Sequence, residues 1–144
     1  MVSLSRIISK RLGVTLVALV VVAASFFPLF AGPHDVRATR LSLVAETSFI
    51  GLSEPTELTL RAIDDSGRLD TSREDLVELS LKSLSYNVSA AKLSATSTRL
   101  EEGVGSVYIQ GSLAEVVDVT VTWKGGQSAL KSFTLRLFVG IGEE

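Results

Sequence analysis

Two Ser-x-x-Lys tetrapeptides carry the residue types of a nucleophile and its base. Ser89 to Lys92 and Ser128 to Lys131 have the spacing that lets a helix place a lysine amine beside a serine hydroxyl. Both lie in sequence typical of strands or loops, where residues three apart point to opposite faces. The only histidine is His34, and cysteine is absent, which excludes histidine triads and thiolate sites from the rest of the chain. We therefore expect no enzymatic activity and no cofactor.

Aspartates concentrate around one predicted turn, where they form a weak candidate for a calcium site. Asp64, Asp65 and Asp70 supply the oxygen ligands that calcium prefers, and Glu74 and Asp75 follow closely. Their spacing does not match an EF-hand loop, and an aspartate-rich hairpin turn often bonds its own backbone instead. Calcium is the weaker of these two interpretations.

The only asparagine of the chain, Asn87, begins an Asn-Val-Ser sequon. In an exported domain this tripeptide is an acceptor for N-glycosylation, and it then lies on a surface loop. The other interpretation is an unmodified loop residue.

The N-terminal part carries an apolar run that decides where the protein resides. Leu12 to Pro33 contains no charged residue, and as a helix it would span roughly 33 Å, close to the thickness of a hydrocarbon core. Basic residues precede the run, which predicts that the chain after it lies outside the cell. The predicted membrane or assembly helix includes Val14, Leu16, Val17, Leu19, Val20, Val21, Phe26 and Phe27.

Three fates of this apolar run remain open. An uncleaved anchor fits its length, and Pro28 would end the helix near the outer interface. A secretory signal peptide would be cut after Ala24 or Ala38. The stretch SKRLGVTLVALVVV (residues 9–22) resembles the processing site of archaeal type IV pilins and archaellin-like proteins. That resemblance implies a cut after Gly13 and polymerisation through the helix.

The sequence divides into three parts: the basic segment with the apolar helix (1–31), a polar linker (32–40) and a β domain (41–144). Residues 39–144 carry ten Lys or Arg and fifteen Asp or Glu, a net charge of −5. An acidic part without clustered basic residues argues against nucleic acid as a partner.

Seven runs of the β domain alternate apolar and polar residues, which predicts strands with one buried face. The expected inward residues are Leu41, Leu43, Leu58, Leu60, Ala62, Val77, Leu79, Leu81, Leu93, Ala95, Val107, Ile109, Val117, Val119, Val121, Trp123, Phe133, Leu135, Leu137 and Val139. One run, EDLVELSLKSL (74–84), also fits a helix, although its alternation favours a strand. The glycine-containing turns DDSGR (64–68) and KGGQ (124–127) separate strands. The prediction is a mostly β protein, an antiparallel Ig-like β-sandwich of about seven strands behind an N-terminal apolar helix.

The stretches TLRAIDDSG, VELSL, GVGSVYI and VVDVTVTW, within residues 56–124, resemble bacterial Ig-like domains of the invasin and intimin type. This resemblance implies a surface-exposed spacer, adhesive or assembly module. Related sandwiches also form the outer domains of archaeal pilins, so this resemblance does not distinguish an anchored domain from a filament subunit.

The last strand, FTLRLFVGIG, is apolar on both faces. Either its second face is covered within the fold, or Phe133, Phe138 and Ile141 form a contact with a neighbouring subunit. We predict a membrane-anchored, extracellular Ig-like domain with a structural, adhesive or scaffold role at the cell surface. The alternative is a subunit of a surface filament. The expected partners are the lipid bilayer and either identical subunits or another surface protein.

Overall fold

The structure, a computed structural model, describes residues 35–140, which form two β-sheets around a shared hydrophobic core. In chain order the strands are β1 (Arg40–Ala45), β2 (Phe49–Gly51), β3 (Thr56–Ile63), β4 (Leu76–Ser83), β5 (Lys92–Leu93), β6 (Ser97–Arg99), β7 (Val104–Gln110), β8 (Glu115–Gly125) and β9 (Phe133–Gly140). Between residues 35 and 140 no helix is long and apolar enough to cross a membrane. The predicted helix, from Val14 to Phe27, and the contact residue Ile141 lie outside the described residues.

The strand order matches an Ig-like sandwich. One sheet has the order β1-β3-β7-β5 and the other β2-β9-β8-β4-β6, which correspond to the ABED and GFC sheets of that fold with short strands added. The expectation of purely antiparallel sheets is wrong at one pair, because β2 runs parallel to β9. The chain crosses from one sheet to the other between β1 and β2 without reversing its direction. Strand β2 therefore runs in the same direction as β9 and pairs with it in parallel.

Each of the seven alternating runs contains a strand, and the run at residues 74–84 forms strand β4, not a helix. Two details differ from the prediction. Strand β2 was not predicted, because three residues are too few to show a period of two. The run expected around Leu93 and Ala95 is divided between two sheets, since β5 pairs with β7 and β6 pairs with β4.

The core forms where the predicted inward faces meet. Most of the expected inward residues are fully or nearly fully buried, for example Leu58, Val77 and Val119. Phe133 is an exception, with 38% of its surface exposed, because it begins β9 at the margin of the sheet. The predicted linker also ends earlier than expected: Ala38 is buried and Arg40 is already in β1.

The strand directions define two ends of the sandwich. The base end is where β1 begins and where the turns 64–75, 100–103 and 126–132 lie. The distal end carries strand β2 with its flanking loops 46–48 and 52–55 and the turns 84–91 and 111–114, and β9 ends there at Gly140. The described chain therefore enters at the base end and leaves at the distal end.

Candidate interaction surface

The aspartate cluster at the base end bonds its own backbone. Asp64 Oδ1 accepts hydrogen bonds from the backbone N–H groups of Ser66 and Arg68, both at 2.9 Å, and Arg68 Nε donates to Asp64 Oδ2 at 2.9 Å. The pKa of Asp64 is lowered to about 2, chiefly because the Arg68 backbone N–H stabilises its carboxylate. Gly67 closes this turn at φ +85°.

The other two calcium candidates are similarly engaged. Asp65 Oδ1 accepts from the Thr39 hydroxyl at 2.7 Å. Asp70 accepts from the Ala38 backbone N–H at 2.9 Å and from the Ser72 hydroxyl at 2.6 Å. Within residues 35–140 no group of three or more His, Cys, Asp or Glu side chains could hold a metal ion.

A buried ion pair supports the base end from within. Arg73 Nε donates to Asp75 Oδ2 at 2.6 Å, and both side chains are at most 4% exposed. Arg73 also donates to the hydroxyl and the carbonyl oxygen of Ser128, while the Gln127 backbone N–H donates to Asp75 Oδ1 at 2.7 Å. These bonds tie turn 64–75 to turn 126–132. The Ser128 hydroxyl is thus paired with an arginine instead of the lysine of its tetrapeptide.

One buried carboxylate, Glu115, organises the distal end. It accepts hydrogen bonds from the hydroxyls of Ser83 (2.8 Å) and Ser89 (2.6 Å) and from the Ala91 backbone N–H (2.9 Å). Burial raises the pKa of Glu115, but these donors outweigh burial, so the pKa is lowered overall. Glu115 thereby fastens both sides of turn 84–91 to the start of β8.

Asn87 lies exposed in this turn, beside Val88, which is 82% exposed. The sequon hydroxyl, that of Ser89, is held by Glu115. The asparagine of the predicted glycosylation site is therefore accessible. The hydroxyl of Ser89 bonds to a carboxylate and not to the lysine of its tetrapeptide, Lys92.

Exposed apolar side chains cross the outer face of the five-stranded sheet at the distal end. Phe49 and Phe138 are paired residues of β2 and β9, and their rings stack at 5.3 Å between centroids. Val116 pairs with Phe138, and the Leu84 backbone N–H donates to the Val116 carbonyl. We call these four residues the distal apolar row. Phe49, Leu84 and Phe138 are 69%, 46% and 40% exposed, so the fold leaves much of the row uncovered.

Two polar rows follow on the same face toward the base end. In the first, Arg136 forms a bidentate pair with Asp118 at 2.9 and 3.1 Å. This hydrogen bonding lowers the pKa of Asp118. In the second, the hydroxyls of Thr120 and Thr134 lie 2.8 Å apart. The outer face therefore changes from apolar to charged to hydroxyl-bearing along β8 and β9.

Of the three predicted contact residues, the structure places Phe133 and Phe138 far apart on β9. Phe138 lies in the distal apolar row, Phe133 lies at the opposite end of β9, and Ile141 is outside the described residues. Phe49 and Leu84 were not predicted as contact residues, because both lie far from Phe138 in the sequence. Only the strand pairing brings them beside Phe138.

A groove of about 410 Å³ lies on the other sheet, at the distal ends of β1 and β3. Its walls combine Val44 and Pro55 with Glu46 and Glu57 and include no histidine, lysine or arginine. Thr47, Thr56 and Thr59 also line it.

No protein-family model matches the sequence, and no curated protein matches it either. Solved structures with the same fold include domains or segments of glycosidases and of an adhesin. A glycosyl hydrolase family 2 member from Bacteroides cellulosilyticus superposes with a TM-score of 0.60 at 17% identity, over 72% of this chain and 14% of that chain. A beta-glycosidase from Bacteroides vulgatus gives 0.59 at 12% identity, over 72% and 14%.

The adhesin InvE of Yersinia pseudotuberculosis superposes with a TM-score of 0.53 at 10% identity, over 74% of this chain and 33% of that chain. The chain thus spans only a small part of each of these longer proteins. At such low identities the likeness shows a shared fold alone, and that fold occurs in proteins of different activity.

Proposed function

We propose that this protein is a cell-surface Ig-like domain with a scaffold or adhesive role, tethered through its N-terminal apolar run. The observation that supports this role is the distal apolar row, which the fold leaves exposed at the end of the sandwich opposite to the end where the described chain enters. The chain enters this domain at the base end, and the distal apolar row lies at the other end. A tethered domain of this kind is suited to binding a partner away from the membrane surface. Its likeness to a domain of the adhesin InvE is consistent with this role.

We further propose that the domain has no catalytic activity. Between residues 35 and 140 the serines of both Ser-x-x-Lys tetrapeptides bond to Glu115 and Arg73, and no cluster suited to a metal ion occurs there. The acidic β domain also gives no basic surface for nucleic acid.

The test of location uses the lysines as natural labels. Cells that express the full chain are treated, intact, with a membrane-impermeant amine reagent, and the labelled lysines are identified by peptide mass spectrometry. We expect Lys82, Lys92, Lys124 and Lys131 to be labelled and Lys10 to be labelled only after lysis. Labelling of all five only after lysis would exclude a surface location.

The intact mass of the membrane-bound product tests the tether. The full-length mass supports an anchor. Loss of 24 to 38 residues would instead show that the apolar run is a cleaved signal peptide and that the domain is secreted. Loss of 13 residues would support the second candidate function, a subunit of a surface filament. That candidate is favoured by the same exposed distal apolar row, and electron microscopy of sheared surface material tests it directly.

A further inference from the structure

We propose that the outer face of the five-stranded sheet binds the same face of a second copy of this chain, with the strands of the two copies parallel. The two-fold axis runs along the strands, midway between β8 and β9. The proposal names a partner for the surface role above. The contact itself needs only the two faces, so its test is separate from the test of location.

The three rows on β8 and β9 are self-complementary under this axis. A two-fold axis along the strands keeps each row at its own height and places β8 of one copy over β9 of the other. Val116 then meets Phe138 of the copy, and Asp118 meets the Arg136 of the copy. The third row pairs Thr120 with Thr134 in the same way. Apolar, charged and hydroxyl groups each meet their complement, as an isologous interface requires.

The outer strands extend the match. Beyond the central strands, β4 of one copy faces β2 of the other, so that Leu84 meets the exposed ring of Phe49. Both ends of the distal apolar row are then covered. Two sheets packed face to face with nearly aligned strands are a usual arrangement in β-sandwiches.

The charges select this axis over the other possible one. A two-fold axis perpendicular to the strands, centred on the distal apolar row, would also cover that row. It would place the Asp118 and Arg136 row over the distal turns of the copy. Arg136 would then lie near Glu54, which is beside Gly51, but Asp118 would face the uncharged turn 111–114. The parallel arrangement alone gives both residues a new partner.

The size of the face predicts a weak contact. The distal apolar row exposes on the order of 300 Å² of apolar side chain, within the range of the largest patch on an ordinary monomer. A stable complex buries about 800 Å² on each partner. The polar rows enlarge the contact but do not make it strong. In the parallel arrangement both base ends point the same way, so two copies tethered in one membrane could pair at a high effective concentration.

A single cysteine reports this geometry, because the chain has no cysteine of its own. We would place Thr120→Cys in the full chain, in detergent micelles, and add a short bis-maleimide reagent. Facing sheets lie about 10 Å apart, which the reagent spans and a disulfide does not. In the perpendicular arrangement the two cysteines would be roughly 27 Å apart. Val44→Cys, on the exposed face of the other sheet, is the matched control.

Charge reversal then isolates the contact between copies. At each of the two crossings, Arg136→Asp alone places a carboxylate opposite Asp118 of the copy, and Asp118→Arg alone places an arginine opposite Arg136. We expect the cross-linked fraction to fall roughly tenfold in each variant alone. Mixing the two variants, distinguished by tags of different mass, restores attraction at both crossings. In the mixture we expect cross-linking to be recovered, and the recovered product to be only the heterodimer of the two variants.

The mixture also separates the interface from folding, since both variants lose the Arg136–Asp118 pair within the monomer. Recovery in the mixture therefore requires pairing between copies. Equal cross-linking of the wild type, both variants and the mixture would mean association through other residues and would overturn the proposal. Cross-linking of Val44→Cys as strong as that of Thr120→Cys would overturn it as well.

Discussion

The two ends of the sandwich use their side chains in opposite ways. At the base end, charged side chains bond the turns of the same chain, as Asp64 and the Arg73–Asp75 pair do. At the distal end one buried carboxylate, Glu115, holds a turn through serine hydroxyls, and most of the exposed large apolar residues gather there. These are Phe49, Leu84, Tyr86, Val88, Leu113 and Phe138. Acidic residues that the sequence offered as ligands thus stabilise the base end, while the exposed apolar surface lies at the distal end.

The largest expected effect on stability is at the buried pair of the base end. Asp75→Ala leaves Arg73 charged and buried without its carboxylate, and it removes the acceptor of the Gln127 N–H. Breaking a buried pair by removing one partner costs about 3–5 kcal/mol. We expect a loss of that size in the free energy of unfolding of the full chain, measured by denaturant titration.

The matched control is the exposed pair of the same end. Arg68→Ala removes the guanidinium bond to Asp64 but leaves the backbone donors of that turn in place, and the Arg68 side chain is 60% exposed. We expect a loss below about 1 kcal/mol. If both variants lost equally little, the base end would not depend on its buried charges.

Substitutions at two glycines of the base end distinguish the effect of steric crowding on stability from the effect of backbone conformation. Gly67 and Gly103 both have positive φ, at +85° and +80°. A Cβ at position 67 would meet nothing within 4 Å, whereas one at position 103 would lie against the Asp70 carbonyl. We expect Gly67→Ala to cost about 1 kcal/mol of unfolding free energy. Gly103→Ala should cost about 2–4 kcal/mol, because the turn must also shift. Equal losses would show that turns 64–75 and 100–103 are not closely packed.

The distal end should respond to acid through Glu115. Its pKa in the folded protein lies below the unfolded value, so the stability that it contributes is complete above the unfolded pKa. That contribution is lost as the pH falls through the folded pKa. At pH 7 we expect Glu115→Gln to lower the free energy of unfolding by about 1–3 kcal/mol. The difference from wild type should shrink below about pH 4.

Hydrogen exchange locates that effect. In Glu115→Gln at pH 7, amides of turn 84–91 should exchange faster, because the turn loses the carboxylate that accepts from Ser89 and Ala91. Amides of the base-end turns serve as the internal reference. Faster exchange at both ends alike would contradict the local role of Glu115.

The alternation of the sequence predicted the sandwich well but its surface poorly. Period two is dictated by burial, so it correctly placed inward residues such as Leu60 and Val119. It carries no information on which strands become neighbours, and the stacking of Phe49 on Phe138 depends on a parallel pair that joins positions 89 residues apart. The aspartate cluster was found because its residues concentrate around one predicted turn, yet its donors include Thr39 and Ala38 from the predicted linker. Long-range pairing, which no local pattern contains, therefore decides both the site and the roles of the acidic residues.

The smallest expected effect on stability is on the distal apolar row. Phe49→Ser removes a ring that is 69% exposed and stacked on Phe138, at the end of a three-residue edge strand. The stack contributes about 0.5–1.5 kcal/mol, and little buried area is lost, so we expect the free energy of unfolding to change by about 1 kcal/mol or less. A loss above 2 kcal/mol would show that the ring belongs to the core of the monomer. A small loss, together with reduced cross-linking of Thr120→Cys, would assign the ring to binding. Stability would then depend mainly on the base end and association on the distal end, because a side chain already exposed in the monomer gains most of its burial only when a partner covers it.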